Sequence, residues 1–167
     1  EAFAPAALRT TALFCLLFGR GCQFLAGLMS FGNKNMLGGP LLTTFSFNWI
    51  VNAWAMKELS EGRIPSSHVI LSIDVCFLVI FLVMTYAFGF FSRLLLAFLV
   101  DIDALYVFRI CREVFHVQAL ALPIAFATVV LMLLALYIAF ALVLVNASGR
   151  QILPIGTPVF TATPPPK

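Results

Sequence analysis

The side chains of this 167-residue chain that could do chemistry are few, and they stand in apolar surroundings. Arg20 falls near the middle of a run, residues 10–31, whose other strongly polar member is Gln23. An unpaired cation at that depth of a bilayer costs about 2.5 kcal/mol on insertion scales. It therefore needs a carboxylate, a water-filled route or a lipid phosphate. Asp74 is the natural partner within the chain, although it lies nearer the end of its own apolar run. A partner on another chain matches the depth of Arg20 better. Asp101, Arg109, Arg112, Glu113 and His116 fall within about 120° of arc on a wheel of 100° per residue, with Val100, Val107, Ile110 and Val114 facing away. Asp103 lands outside that arc and Leu105 intrudes into it. Such a charged face suits a membrane interface or a polar cavity between spans, and the interface is the favoured reading.

Other chemistry is not encoded in recognisable form. His68 and His116 are the two imidazoles, and they could share a haem only if the segment 94–115 crossed the membrane. There is no nucleophile elbow, phosphate loop, H-E-x-x-H or Ser, His and Asp set in context. No catalytic residue, no metal ligand and no cofactor of the chain's own are expected, and the chain is not expected to be an enzyme. Cys15, Cys22, Cys76 and Cys111 lie in apolar or amphipathic segments without a C-x-x-C pair, so they read as small buried hydrophobes.

The elements that must position these residues belong to a membrane. Hydrophobic residues make up 62% of the chain and charged ones 10%, and the mean hydropathy is +1.07, a composition of polytopic membrane proteins. Ten Lys and Arg against seven Asp and Glu are scattered singly, so no stripe exists to neutralise successive phosphates and nucleic acid is excluded as a partner. The fold class is all-α, with three or four transmembrane helices and amphipathic interfacial helices. Spans are expected at about 10–31, 67–92 and 119–146, within one helical membrane domain, residues 10–149. Residues 41–56, holding Asn48, Asn52, Trp49 and Trp54, read as interfacial or re-entrant, and so do residues 93–117. A helix running unbroken over 69–100 would be about 48 Å long, so a bend is expected near Gly89 to Arg93. Ser66 and Ser67 suit a helix start, Pro123 a first turn, and Asn146 to Gly149 a stop. Residues 1–9 form an N-terminal segment. Glu1 in place of Met suggests that an upstream segment has been removed or left out. The Pro-rich residues 150–167 should be extended or disordered and lie along a neighbour's surface.

Small residues suggest where helices meet. Cys15, Gly19, Cys22, Ala26 and Ser30 recur at spacings of 4, 3, 4 and 4, a continuous stripe on one helix face. Ala121, Ala125, Thr128, Ala135 and Ala139 form a second, interrupted by Met132. Stripes of this kind let backbones approach where lipid supplies no hydrophobic drive.

Three short resemblances bear on family. Ala2-Phe3-Ala4-Pro5 resembles the sequence around transit-peptide cleavage in algae with red-type secondary plastids. Glu58-Leu59-Ser60-Glu61-Gly62-Arg63 resembles the E-x-x-N-G-R motif of chlorophyll a/b-type light-harvesting helices, with Pro65 ending it at once and no second copy. Phe98-Leu99-Val100-Asp101-Ile102-Asp103 is similar to the acidic span of the small third subunit of complex I, whose cysteine loop is absent here. No family is recognised on them. The leading expectation is a non-catalytic accessory subunit of a large energy-transducing complex in an organelle, with the mitochondrial inner membrane first, as part of the respiratory chain or ATP synthase. The alternatives are a thylakoid photosystem subunit and a small channel or transporter built on Arg20, Asp74, Asp101 and Asp103. Expected partners are other membrane subunits and bound lipids, with pigments if the membrane is thylakoid.

Overall fold

The computed structural model describes residues 4–161. The motif residues Ala2 and Phe3 and the prolines 164–166 lie outside that range. Six α-helices account for most of the described residues, with no strand among them: α1 Pro5–Phe14, α2 Gln23–Gly32, α3 Gly38–Ser60, α4 Ser67–Phe88, α5 Arg93–Phe115 and α6 Ala121–Ser148. A π-helical stretch, Cys15–Cys22, joins α1 to α2 in one continuous helix, and a 3-10 turn, Gln118–Leu120, leads into α6. Three helices are long and apolar enough to cross a membrane: Pro5–Gly32, Ser67–Phe88 and Gln118–Ser148. The chain divides into two compact units, one through Ile70 and one from Leu71 onward.

The first unit is a helical hairpin, with α3 lying along the helix from Pro5 to Gly32. Pro5 occupies the first turn of α1, where its missing N–H is no loss. The packing face begins at Ala12, Cys15 and Gly19 and continues through Gln23 and Gly27 rather than through Cys22. Cys15 and Gly27 are buried, Gly19, Ala26 and Ser30 are half-buried, and Cys22 is exposed. The π-helical stretch supplies the reason: each of its turns holds more residues than an α-turn, so the contact face moves on by one position beyond Gly19.

Two close approaches hold the hairpin. A Cβ on Gly27 would stand 2.6 Å from Thr43 Cγ2 and 3.0 Å from Thr43 N, so the backbones nearly touch there. At Gly19 the Trp49 indole fills the space of a side chain, and its Nε1 donates to Gln23 Oε1 at 2.8 Å. That places Trp49 in the packing of the hairpin, with its one donor satisfied by the helix it rests on. Trp54 is half-buried. Residues 41–56, expected as a re-entrant or interfacial piece, belong to α3, one unbroken helix of 23 residues. Its end is a glycine cap: Gly62 takes φ +75°, and Arg63 N donates to Glu58 O at 3.0 Å. Arg63 also bonds Glu58 Oε2 at 2.6 Å and the Glu61 carboxylate, and the bond from Arg63 holds the Glu58 carboxyl below its ordinary range. The residues of the light-harvesting resemblance thus form a self-contained helix cap.

In the second unit α4 and α5 run antiparallel, and α6 packs on α5. The bend expected near Gly89 to Arg93 is a complete reversal between Phe88 and Arg93. Ser92 caps α5: it is extended, buried, and its Oγ accepts from Leu95 N at 3.1 Å. The remaining donors of the first turn are met by the tail. Arg93 N donates to Thr157 O at 3.1 Å and Leu94 N to Ile155 O at 3.2 Å. In return, Val159 N and Phe160 N donate to Gly89 O at 2.9 and 3.0 Å. Tyr137 of α6 donates to Pro154 O at 3.1 Å. The described part of the tail is therefore extended and docked on its own chain. A helix start in apolar surroundings has no water to accept its first N–H groups, and these carbonyls replace it.

Two outcomes follow from these contacts. Gly19→Leu should push Trp49 out of its groove and cost about 1–3 kcal/mol of overpacking, with a smaller loss for Ala26→Leu, measurable as the unfolding midpoint in mild detergent. Gly89→Val should collide with the Phe160 ring, which lies where an added Cβ would stand. Protease cleavage between Pro154 and Phe160 should then accelerate relative to the parent chain.

Candidate functional site: a charged seam between two helices

The inward face of α4 carries Asp74, Phe77, Phe81, Thr85 and Phe88, spaced by 3, 4, 4 and 3 residues, and all but the half-buried Thr85 are buried. The facing side of α5 carries Leu99, Ile102, Asp103, Tyr106 and Arg109. Helical periodicity thus brings two carboxylates, a phenol, a hydroxyl and a guanidinium into one seam.

At one end Arg109 Nη2 bonds Asp74 Oδ1 at 3.0 Å, with Asp74 at 1% exposure and the Arg109 side chain at 25%. Toward the other end Thr85 Oγ1 donates to Asp103 Oδ2 at 2.6 Å. Between these contacts Tyr106 stacks on Phe77 and Phe81, with ring centroids 5.9 and 5.6 Å apart. The Arg109 guanidinium lies 5.6 Å from the centre of the Tyr106 ring, a cation–π contact. One oxygen of each carboxylate is buried without a hydrogen-bond partner: Asp74 Oδ2 and Asp103 Oδ1 in the seam, and Asp101 Oδ2 on the side of α5 that meets α6. These oxygens can accept a hydrogen bond or bind a cation. No group of three or more His, Cys, Asp and Glu side chains is placed to hold a metal ion among the described residues.

The residues singled out in the sequence are distributed as follows. Asp74, the candidate partner for Arg20 within the chain, is paired with Arg109, and Arg20 is exposed on its own helix. The charged arc of α5 is divided among several surroundings. Arg109 turns to α4, and Asp101 lines a cleft of about 620 Å³ with Phe108, Leu122 and Phe126. Arg112 Nη2 lies 3.5 Å from Gln118 Oε1, Glu113 is half-buried, and His116 ends the helix in a left-handed conformation, φ +53°. Ala121, Ala125, Ala135 and Ala139 are all exposed; the buried small residues of α6 are Ala127 and Ala141. All four cysteines are free thiols.

Thr85 and Tyr106 are not singled out in the sequence, and Asp103 enters there as a site residue only with the channel or transporter alternative. The signal was present as a period: Asp74, Phe77, Phe81 and Thr85 on one helix match Leu99, Asp103 and Tyr106 on the next. Searched against models of known families and against curated proteins, the sequence matches none.

Arg109→Met should leave Asp74 buried without its cation and cost about 3–5 kcal/mol, while adding Asp74→Asn to it should recover most of the loss. Thr85→Val should cost less, about 1–3 kcal/mol, through the acceptor it strands on Asp103. Unfolding of the purified protein in mild detergent measures both, and additive losses at Arg109 and Asp74 would contradict the pairing.

Proposed function

We propose that the chain is a non-catalytic accessory subunit of a large energy-transducing complex in an organellar membrane, with the mitochondrial inner membrane and its respiratory chain or ATP synthase favoured. The observation that supports this reading most directly is Arg20. It stands close to the middle of the 28-residue helix from Pro5 to Gly32, it is exposed, and no carboxylate partner for it occurs among the described residues. A mid-span cation on an outward face calls for a partner outside the helix hairpin that carries it. The exposed alanine face of α6 adds to the same reading, because small residues there would let a foreign helix approach closely.

A second reading, a small channel or transporter, draws support from the seam of Asp74, Asp103 and Arg109 with its two unbonded carboxylate oxygens. The two readings separate on a native gel after mild detergent extraction of the source membrane. The subunit reading expects migration in a very large assembly that Arg20→Met disrupts. It also expects proteoliposomes of the purified chain to show no proton or ion flux above protein-free vesicles. Migration alone or as a small oligomer, together with a flux lost in Asp103→Asn, would overturn it in favour of transport.

A further inference from the structure

Two side chains of opposite charge, Arg20 and Asp101, stand in apolar surroundings without an ion pair among the described residues. Arg20 is exposed among Leu16, Leu17 and Phe24, which are exposed as well, so the cation rises from an apolar face. Gly21 beside it meets nothing nearer than its own helix's Leu16 O at 3.5 Å, and so presents a bare backbone that another helix can approach. Asp101 has the complementary form. It lines the cleft between α5 and α6, walled by Ala104, Phe108, Leu122, Phe126 and Ala127, with Oδ2 buried and unbonded. The α6 residues that line the cleft with Asp101 run from Leu122 to Ala127, within the first two turns of that 28-residue apolar helix. That depth lies within the reach of a long side chain from a helix crossing nearby.

We infer that the cleft between α5 and α6 receives the Arg20 face of a second copy of this chain, with the guanidinium bonded to Asp101. Charge complementarity selects the occupant. The walls of the cleft are otherwise apolar, the carboxylate has no cation of its own, and the chain itself carries a mid-span guanidinium in the same condition. A guanidinium presents several donors to a carboxylate and keeps its charge at any accessible pH, so the pair persists where an ammonium could lose its proton. The contact is heterologous, one Arg20 face in one cleft, and copies can repeat it into a ring or row. The inference rests on the reading of the chain as a subunit that assembles through its membrane helices, and it names one of the partners as another copy.

The test uses the full chain, purified and reconstituted in lipid bilayers, with stoichiometry counted by single-molecule photobleaching. The parent protein should associate. Arg20→Met and Asp101→Asn should each weaken self-association by at least about tenfold, because each lacks one half of the contact. Mixed together, the two variants should form one-to-one dimers and stop there: Asp101 is intact in the first, Arg20 in the second, and no further contact can be made. Circular dichroism of each variant should match the parent, and the recovery on mixing itself demands folded partners. A monomeric parent would overturn the proposal, and so would single variants that associate as the parent does or a mixture that fails to recover. If the parent is monomeric here yet still migrates in a very large assembly on the native gel, the self-pairing fails while the subunit reading stands, and the cation in the cleft comes from a different protein.

Discussion

Charge inside an apolar bundle constrains this chain more than any other feature, and α5 is where the constraint acts. Asp101, Asp103 and Arg109 give that helix too many charges to qualify, by composition, as a span of its own, yet it lies between α4 and α6, both long and apolar enough to cross. The Asp74–Arg109 bond makes this arrangement tenable. It neutralises a carboxylate that is almost wholly buried, and it leaves the guanidinium partly accessible at the rim. A buried pair of this kind adds little net stability compared with an apolar one. Its effect is on register, since sliding α5 past α4 by one turn would strand both charges. The Thr85–Asp103 bond fixes a second point along the same seam, so the two helices have one good alignment.

The two units solve helix packing in different ways. In the first, glycines bring backbones almost into contact: Gly27 meets Thr43, and Gly19 offers its space to the Trp49 indole. Attraction there comes from dispersion over a close, complementary surface. In the second, Phe77, Phe81 and Tyr106 hold α4 and α5 further apart, and the wide gap is what admits side chains as long as Arg109. The reversal between them brings its own difficulty, because the N-terminal donors of α5 would be orphaned in an apolar setting. Ser92 meets one of them, and the carbonyls of Ile155 and Thr157 meet two more. The tail is thus part of the second unit, and Gly89 is small because Phe160 lies against it.

Much of this architecture could be read from the sequence, and the failures have physical causes. The three apolar helices were visible as lengths and compositions, which need no knowledge of partners. The stripe in the first helix was legible as far as Gly19 and then drifted, because nothing in Cys15 to Cys22 announces a π-helical turn. Trp49 and Trp54 suggested an interface by residue type, whereas the position of Trp49 was decided by the glycine opposite it. The wheel of α5 assigned Arg109 to one charged arc with Asp101. Side chains of that length choose partners over more than one face, and a wheel has no depth with which to pair Arg109 and Asp74. The tail was judged by its prolines. Proline removes donors but leaves carbonyls, and the carbonyls of Pro154, Ile155 and Thr157 are what α6 and α5 use.

The outward faces carry two kinds of residue. Exposed Leu, Phe and Val on α4 and α6 suit lipid and need no further partner, since hydrocarbon is as apolar as they are. Arg20 and Asp101 differ in kind, because lipid tails satisfy neither. The chain spends ion pairing and hydrogen bonding on Asp74, Arg109 and Asp103 where its own helices meet, which shows that its sequence can pair charges when both partners lie within it. Arg20 on an apolar face and Asp101 in an apolar cleft are therefore two positions where the contacts described leave a charge in apolar surroundings without a counter-charge.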